Sequence, residues 1–411
     1  MARIVLGVCG GIAAYKACEL LRLATEAGHQ VRVVPTESAL RFVGAATWQA
    51  LSGQPLATDV WTDAHQVPHV RLGQGADLVL VAPATADLLA RAATGRADDL
   101  LTNVLLTVRC PVLFAPAMHT EMWQHPATVD NVAVLRRRGA IVIDPASGRL
   151  TGPDSGPGRL PEPAEIWALA TRVLARGGAG MVAAGGADLA GRRVVVTAGG
   201  TREPLDPVRY LGNRSSGRQG YALARSAVAR GAAVRLIAAN VSLPDPAGAE
   251  VVHVGSTEEL REETLAAAAA ADIVVMAAAP ADYRPSEYAP QKIKASAARA
   301  GEAMQLRLVA TPDIAAELGA AKRPGQVLVV FAAETATGAD ALATARDKLA
   351  RKGADLIVLN DVSGGRAFGA PTNAATVITV DGSTTVLPEQ PKDDLADSVW
   401  DLVKTLPGDA A

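Results

Sequence analysis

The stretch Ile4-Val5-Leu6-Gly7-Val8-Cys9-Gly10-Gly11 decides the fold. A short apolar run that stops at two glycines reads as a buried strand leading into a tight turn. The pattern returns at Val194-Val195-Val196-Thr197-Ala198-Gly199-Gly200. Outward from these two points, helical patterns end in Gly and pass directly into apolar, largely β-branched runs. Gly28 precedes Val31 to Val34, Gly139 precedes Ile141 to Ile143, Gly231 precedes Val234 to Ile237, and Gly353 precedes Leu356 to Leu359. A glycine just past a helix end supplies the left-handed residue that stops it, and strands apolar on both faces belong to parallel sheets covered by helices. The reading is α/β, with two Rossmann-like (flavodoxin-like) doubly wound domains and mostly parallel sheets. Between them lie Arg176-Gly177-Gly178-Ala179-Gly180 and Ala184-Gly185-Gly186-Ala187, with little to pack. The expected division is a domain over 1–180, a linker over 181–190 and a domain over 191–411.

Composition narrows the function. The chain has 411 residues, enough for two domains of about 150 residues or more each. Aromatics are 3%, so Ala, Val and Leu must fill the cores. Forty basic against 42 acidic side chains leave a net charge of −2, which offers no global field for nucleic acid or an anionic membrane. The three cysteines, Cys9, Cys18 and Cys110, are odd in number, which argues for a reducing compartment. No secretory leader is evident, and the alanine-rich run Leu265 to Ala281 is broken by Asp272 and Pro280, so it does not read as a membrane span. A cytoplasmic protein with neither nucleic-acid nor membrane partners is expected.

Neither Gly-Gly turn fits the dinucleotide fingerprint G-x-G-x-x-G. The first could seat a phosphate on backbone N–H groups at a helix start, or could simply be a tight turn. Pro35-Thr36-Glu37-Ser38-Ala39 and Ala82-Pro83-Ala84-Thr85-Ala86-Asp87 end the second and third strands, so three small polar loops line one edge. Together, Gly10-Gly11-Ile12-Ala13-Ala14-Tyr15-Lys16, Ala82 to Ala86 and Pro116-Ala117-Met118-His119-Thr120-Glu121-Met122-Trp123 resemble the flavin-dependent cysteine decarboxylases over residues 1 to 175. The resemblance implies FMN held by Gly10, Gly11, Ile12, Ser38, Ala84 and Thr85, with Ser38 and Thr85 near its phosphate and ribityl chain. It implies His69 as the active-site base, Met118 in the substrate pocket, and a site assembled between subunits of a trimer. A lone His before an apolar run is ordinarily solvated, and only the match singles out His69. Met118, Met122 and Trp123 would likewise ordinarily be core. Two departures matter: His119 stands where the family has Asn, and the flap Gly148 to Arg159 has Thr151 near the position of the family's proton-donating Cys. A neutral imidazole still hydrogen-bonds to an amide or carboxylate, whereas a Thr hydroxyl is too weak an acid to replace a thiol. The role of flavin in that family is to give decarboxylation an electron sink with no net redox change.

The second half carries longer motifs. Thr197-Ala198-Gly199-Gly200-Thr201-Arg202-Glu203-Pro204-Leu205-Asp206-Pro207-Val208-Arg209 leads to Leu211-Gly212-Asn213-Arg214-Ser215-Ser216-Gly217. Ser215 and Ser216 sit where a helix is expected to start, suited to an anion or to a plain cap. Ala279-Pro280-Ala281-Asp282-Tyr283 and Gln291-Lys292-Ile293-Lys294 follow in a Pro- and Ala-rich segment that could close a basic lid, although two lysines are usually just a solvated face. Together these resemble phosphopantothenate-cysteine ligase domains from about 190 to 405. The order of the halves resembles the bacterial bifunctional family of coenzyme A synthesis, in which the decarboxylase precedes the ligase. The resemblance implies 4'-phosphopantothenate, cysteine and CTP as substrates, an acyl-cytidylate intermediate, and Mg2+ accompanying the triphosphate. It implies Lys292 and Lys294 at the triphosphate, and Ala278, Asp282, Phe331, Lys348 and Lys352 around the nucleotide. Thr311, Pro312, Asp313 and Ile314 would form a further nucleotide loop, Asn213 would position the acyl intermediate, and Ser215 and Ser216 would contact substrate. Ala295 stands where the family's lysine motif usually continues with Lys.

Two rivals remain at this level: a nicotinamide oxidoreductase, disfavoured by the missing fingerprint, and a flavin-binding regulatory protein, disfavoured by the motifs from Thr197 onward.

Overall fold

The computed structural model describes residues 1–56, 58, 67–150, 154–176, 188–294, 304–334, 338–361 and 370–406. Thr151, Ala295 and residues 181–187 of the expected linker lie outside them. The chain forms two compact units. One comprises Met1–Gly191 with Arg225–Ala233 and Asp245–Ala249, and the other Arg192–Ala224 with Val234–Pro244 and Glu250–Ala411.

The first unit is built on five strands, β1 (Arg3–Val8), β2 (Gln30–Pro35), β3 (Leu78–Ala84), β4 (Val112–Pro116) and β5 (Ile141–Val142). They are parallel throughout, in the order β2-β1-β3-β4-β5. The order reverses between β1 and β3, so the loops at their carboxyl ends open a crevice where doubly wound sheets take ligands. All seven residues of β3 are buried. Burying each large apolar side chain contributes about 1.5–3 kcal/mol against the entropy of ordering it. The hairpin of β6 (Ala146–Arg149) and β7 (Ser155–Arg159) stands apart from this sheet.

The second unit carries β8 (Arg193–Gly199), β9 (Arg202–Pro204), β10 (Tyr210–Gly212), β11 (Ala233–Ala239), β12 (Ala249–Val254), β13 (Ile273–Met276), β14 (Tyr283–Pro285), β15 (Leu308–Ala310), β16 (Val327–Glu334), β17 (Leu356–Asp361), β18 (Thr372–Thr379) and β19 (Thr384–Pro391). Its main sheet runs β12-β11-β8-β13-β16-β17-β18-β19. The ladders joining β8, β13, β16 and β17 are parallel, whereas β18 and β19 are antiparallel. That antiparallel end was not anticipated from the sequence. β19 leaves most of its residues exposed, which an antiparallel edge tolerates and a helix-covered parallel strand does not. The helix Lys392–Val403 buries Trp400 completely, and its indole N–H donates to Leu223 O at 3.1 Å. Two small antiparallel pairs, β9/β10 and β14/β15, accompany the main sheet.

The four helix-ending glycines behave as expected: Gly28, Gly139, Gly231 and Gly353 have φ of 82°, 83°, 84° and 56°. A side chain there would be strained in the left-handed region. Among the described residues no helix is long and apolar enough to cross a membrane. The run Leu265 to Ala281 divides between the helix Thr257–Ala268 and β13.

Candidate active sites

In the first unit, the loops after β1, β2 and β3 meet. Cys9 N–H donates to Pro83 O at 3.1 Å. A Cβ on Gly10 would stand 2.4 Å from Ser38 Cβ, so glycine is required for this approach. Thr85 caps the helix Ala86–Thr94 by accepting from Leu88 N–H at 3.3 Å. These loops border a pocket of about 450 Å³ lined by Gly10, Gly11, Ile12, Pro83 and Thr85, by Met118 and His119 after β4, and by Arg149, Leu150, Gly158 and Arg159 of the hairpin. Met118 N–H donates to Gly158 O at 3.0 Å, and a Cβ on Gly158 would lie 2.2 Å from Met118 O. The hairpin is thereby seated on the loop after β4.

The electrostatics favour an anion. Lys16, Arg149 and Arg159 all line the pocket. Lys16 Nζ lies 2.9 Å from Glu162 Oε1, and Arg159 Nη2 lies 3.5 Å from the same oxygen. A cationic wall of this kind suits phosphate or carboxylate. Cys9 supplies no nucleophile: burial pushes its thiol up to about 12, against weaker opposing hydrogen bonds from Thr85.

Of the residues expected here, Gly10, Gly11, Ile12, Thr85, Met118 and His119 line the pocket. Ser38 packs behind Gly10, and Ala84 is buried at the end of β3. His119 is exposed at the start of the short helix Thr120–Gln124 and does not cap it. Trp123 packs on the core while Met122 is 49% exposed. His69 is not among the lining residues. It sits in the helix Pro68–Gly75, where its carbonyl accepts from Thr107 Oγ1 at 2.9 Å and its buried Nδ1 has no hydrogen-bond partner among the described residues.

In the second unit, a cleft of about 190 Å³ opens at the carboxyl ends of β13 and β16. Ala278, Asp282, Thr311, Pro312, Asp313, Ile314, Phe331 and Lys352 all line it. Asp313 caps the helix Ile314–Ala320 through Ala316 N–H, and its Oδ1 lies 3.0 Å from Lys352 Nζ. Burial works against ionisation of Asp313, but Lys352 and the Ala316 N–H outweigh it and hold the carboxyl below its ordinary range. Lys348, on the helix Gly338–Arg351, and the exposed Lys292 and Lys294 do not line the cleft.

Hydrogen bonds tie residues of this cleft to neighbouring loops. Glu203 Oε1 accepts from Thr257 N–H and Oγ1 at 2.9 and 2.7 Å, Thr257 Oγ1 lies 2.8 Å from Thr201 Oγ1, and Ala281 N–H donates to Thr201 Oγ1 at 2.8 Å. Ala281 O accepts from Thr311 Oγ1, and Asp282 O accepts from Thr311 N–H at 3.0 Å. Asp206 Oδ1 accepts from Val208 and Arg209 N–H, each at 2.8 Å, while Oδ2 accepts from Ile293 N–H at 3.1 Å. Asn213 Nδ2 donates to Pro280 O at 2.7 Å. A Cβ on Gly199, whose φ is 84°, would meet Ala239 O at 2.0 Å, which explains the first glycine of this turn. Ser215 and Ser216 lie before Gly217, ahead of the helix Arg218–Ala229, and Ser215 Oγ accepts from Gly217 N–H at 3.4 Å. The helix thus begins later than the sequence suggested.

Sequence reading assigned no role to Lys16, Arg149 or Arg159, although all three lie inside quoted motifs. It also missed Glu203, Asp206 and Thr257. Acids inside a glycine-rich motif were a usable signal for the first two, but nothing local marks Thr257. Among the described residues, no group of three or more His, Cys, Asp or Glu could hold a metal ion.

A Flavoprotein family model matches residues 1–175, and a DNA/pantothenate metabolism flavoprotein C-terminal domain model matches 189–406. The coenzyme A biosynthesis bifunctional protein CoaBC of Mycolicibacterium smegmatis is 58% identical over 408 residues, covering 98% of this chain and 97% of that protein. The protein of the same name from Bacillus subtilis is 43% identical over 407 residues, covering 98% and 97%. A crystal structure of the FMN-dependent cysteine decarboxylase SpaF is 33% identical, covers 43% of this chain and 97% of its own, and superposes with a TM-score of 0.38. The near full-length identity and the two family models place the chain in the CoaBC family of bifunctional coenzyme A biosynthesis proteins.

Proposed function

We propose that the two reactions of this family run at the two separate clefts, with the decarboxylase in residues 1–180, the ligase in 191–411 and 181–190 as the linker. The observation that carries the ligase assignment is the cleft itself, where Ala278, Asp282, Thr311 to Ile314, Phe331 and Lys352 converge from loops distant in sequence. In this reading CTP is bound there with its Mg2+, the metal entering on the triphosphate rather than on a protein cluster. The carboxylate of 4'-phosphopantothenate attacks the α-phosphate, pyrophosphate leaves, and the cysteine amine then displaces CMP from the acyl-cytidylate. Lys292 and Lys294 act on the charge that develops at the triphosphate, an effect of about 3 kcal/mol per preorganised donor. Lys348 and Lys352 bind the nucleotide, Ser215 and Ser216 contact substrate, and Asn213 holds the acyl intermediate for the amine.

The first pocket fits FMN in kind: loops that only glycine permits, a Thr beside them, and a cationic wall for a phosphate. Bound FMN supplies reversible hydride removal from the thiol-bearing carbon, which gives decarboxylation its electron sink. Gly10, Gly11 and Ile12 offer backbone groups to it, with Ser38, Ala84 and Thr85 beneath. Met118 and His119 orient the acylcysteine, and the imidazole of His119 takes the proton-donor role in place of the family's Cys. His69 is the base. Because it lies outside the pocket of its own chain, a second copy completes the site, in a homo-oligomer built from flavin-domain trimers. The free cysteines fit a cytoplasmic setting.

Pre-steady-state measurement of pyrophosphate and of amide product tests the ligase assignment. Lys292→Gln should suppress pyrophosphate release by about a hundredfold, or about 2.7 kcal/mol. Asn213→Asp should still release pyrophosphate yet lose amide product by a similar factor. Equal losses in both steps for both variants would refute this division of labour.

A further inference from the structure

The motif Thr201 to Arg209 holds two carboxylates that are nearly removed from solvent, Glu203 at 3% and Asp206 at 2% exposure. Neither lines the nucleotide cleft. Buried carboxylates are costly unless their oxygens are saturated by donors, so the identity of those donors is informative.

The direction of the hydrogen bonds around Glu203 follows from proton counting. Glu203 Oε1 accepts from Thr257 N–H and also takes the one hydroxyl proton of Thr257. At the 2.8 Å contact between the two threonines, Thr201 must therefore be the donor. Its oxygen is then left to accept, and it accepts from Ala281 N–H. The result is a single directed chain, from Ala281 N–H through Thr201 and Thr257 to Glu203, with Thr201 at 0% and Thr257 at 1% exposure. Its far end is a node of the cleft: Ala281 O receives the Thr311 hydroxyl, and Asp282 O receives the Thr311 amide. Aligned bonds in a low-dielectric interior reinforce one another, so the chain fixes both cleft loops.

Asp206 works on a different loop. Its Oδ1 holds the turn at Val208 and Arg209, and its Oδ2 holds Ile293 N–H, the residue between Lys292 and Lys294. Arg209 closes the arrangement by donating from Nη2 to Ile293 O at 2.7 Å. The backbone between the two lysines is thus pinned on both sides while their side chains stay exposed.

We propose that Glu203 and Asp206 are positioning residues of the ligase reaction, Glu203 fixing the nucleotide loops through Thr257 and Thr201, and Asp206 fixing the lysine loop. This rests on the cleft being the CTP site. The two tethers then have different kinetic signatures: the first governs nucleotide binding, and the second governs the step in which the lysines meet developing charge.

The test uses the full-length chain and steady-state pyrophosphate release. Thr201→Val keeps the volume but ends the chain, and should raise KM for CTP about tenfold with kcat changed less than about threefold. Thr201→Ser keeps the hydroxyl and should restore KM. Asp206→Asn leaves an oxygen for Val208 and Arg209 but turns an NH2 toward Ile293 N–H, donor against donor. It should lower kcat about tenfold with KM for CTP changed less than about threefold. Should Thr201→Val fail to fold by thermal melting, Thr257→Val, which retains the backbone N–H hydrogen bond to Glu203, carries the same expectation. Phe331→Ala and Lys352→Met report on the cleft itself. If they raise KM for CTP and Thr201→Val does not, the positioning role of Glu203 is overturned while the cleft assignment stands. If none of the three moves KM, the cleft assignment falls, and this proposal with it. Equal changes in kcat and KM for Thr201→Val and Asp206→Asn would overturn the separate roles.

Discussion

The two clefts sit at equivalent places, the carboxyl ends of parallel strands beside a Gly-Gly turn, yet they are built differently. The first is made by close approach: Gly10 lies against Ser38 and Gly158 against Met118, with cations on the wall and the expected base, His69, elsewhere on the chain. The second combines close approach with tethers: Gly199 lies against Ala239 O, while buried Glu203 and Asp206 and the pair Lys352–Asp313 hold loops through hydrogen bonds. Close approach needs absent side chains and tolerates no insertion, whereas a tether needs a matched donor and acceptor and fails by degrees. Substitutions should therefore act abruptly at the close-approach glycines, on which the first pocket depends most, and gradually at the tethers of the second.

The largest effect is expected at Gly10. Gly10→Ala drives a methyl group into Ser38 and should abolish flavin retention, read as flavin absorbance of the purified full-length protein, while pyrophosphate release persists. Co-expressing Gly10→Ala chains with His69→Asn chains should restore part of the decarboxylation that each lacks alone, because a mixed oligomer pairs an intact pocket with an intact His69. No recovery in verified mixed oligomers would place His69 and the pocket in one chain's site.

A smaller effect is expected at the tether of the second cleft. Lys352→Met leaves Asp313 with its helix cap but without its cation, and should raise KM for CTP about tenfold, or about 1.4 kcal/mol. An unchanged KM would make the pair a surface contact.

How much of this was legible in the sequence follows from the same contrast. The helix-ending glycines, the apolar strands and both Gly-Gly turns are local signals, and Gly28, Gly139, Gly231 and Gly353 adopt the left-handed backbone expected of them. Motif residues such as Thr85, Met118, Asp313 and Phe331 do line clefts. What could not be read is pairing across long separations. Thr257 becomes part of the second framework only because the fold brings it to Glu203, and Lys16 meets Glu162 only through the packing of their helices. The antiparallel end of the second sheet was missed for a related reason: β18 has the β-branched content of a buried strand, and its composition does not show that it runs antiparallel to β17 and β19.

The smallest effect concerns pH. The Asp313 carboxyl is held below its ordinary value, so its contribution to stability is complete above the unfolded value and is lost as pH falls through the lower, folded one. Asp313 is 48% exposed at its side chain, so the Lys352 pair contributes only about 0–1 kcal/mol. The stability difference between the native chain and Asp313→Asn, from denaturant unfolding, should stay flat from neutral pH down to the ordinary carboxylate range and shrink below it. A difference that grows on acidification would reverse the sign assigned here.

In the proposed reading, two chemistries share one chain at two independent sites. The most direct test measures both reactions on the same full-length variants: carbon dioxide release from phosphopantothenoylcysteine, and pyrophosphate release with CTP, phosphopantothenate and cysteine. His69→Asn should lose the first by more than about a hundredfold and keep the second within about twofold, and Lys292→Gln should do the reverse. Loss of both reactions in either variant, with its fold intact, would contradict the claim.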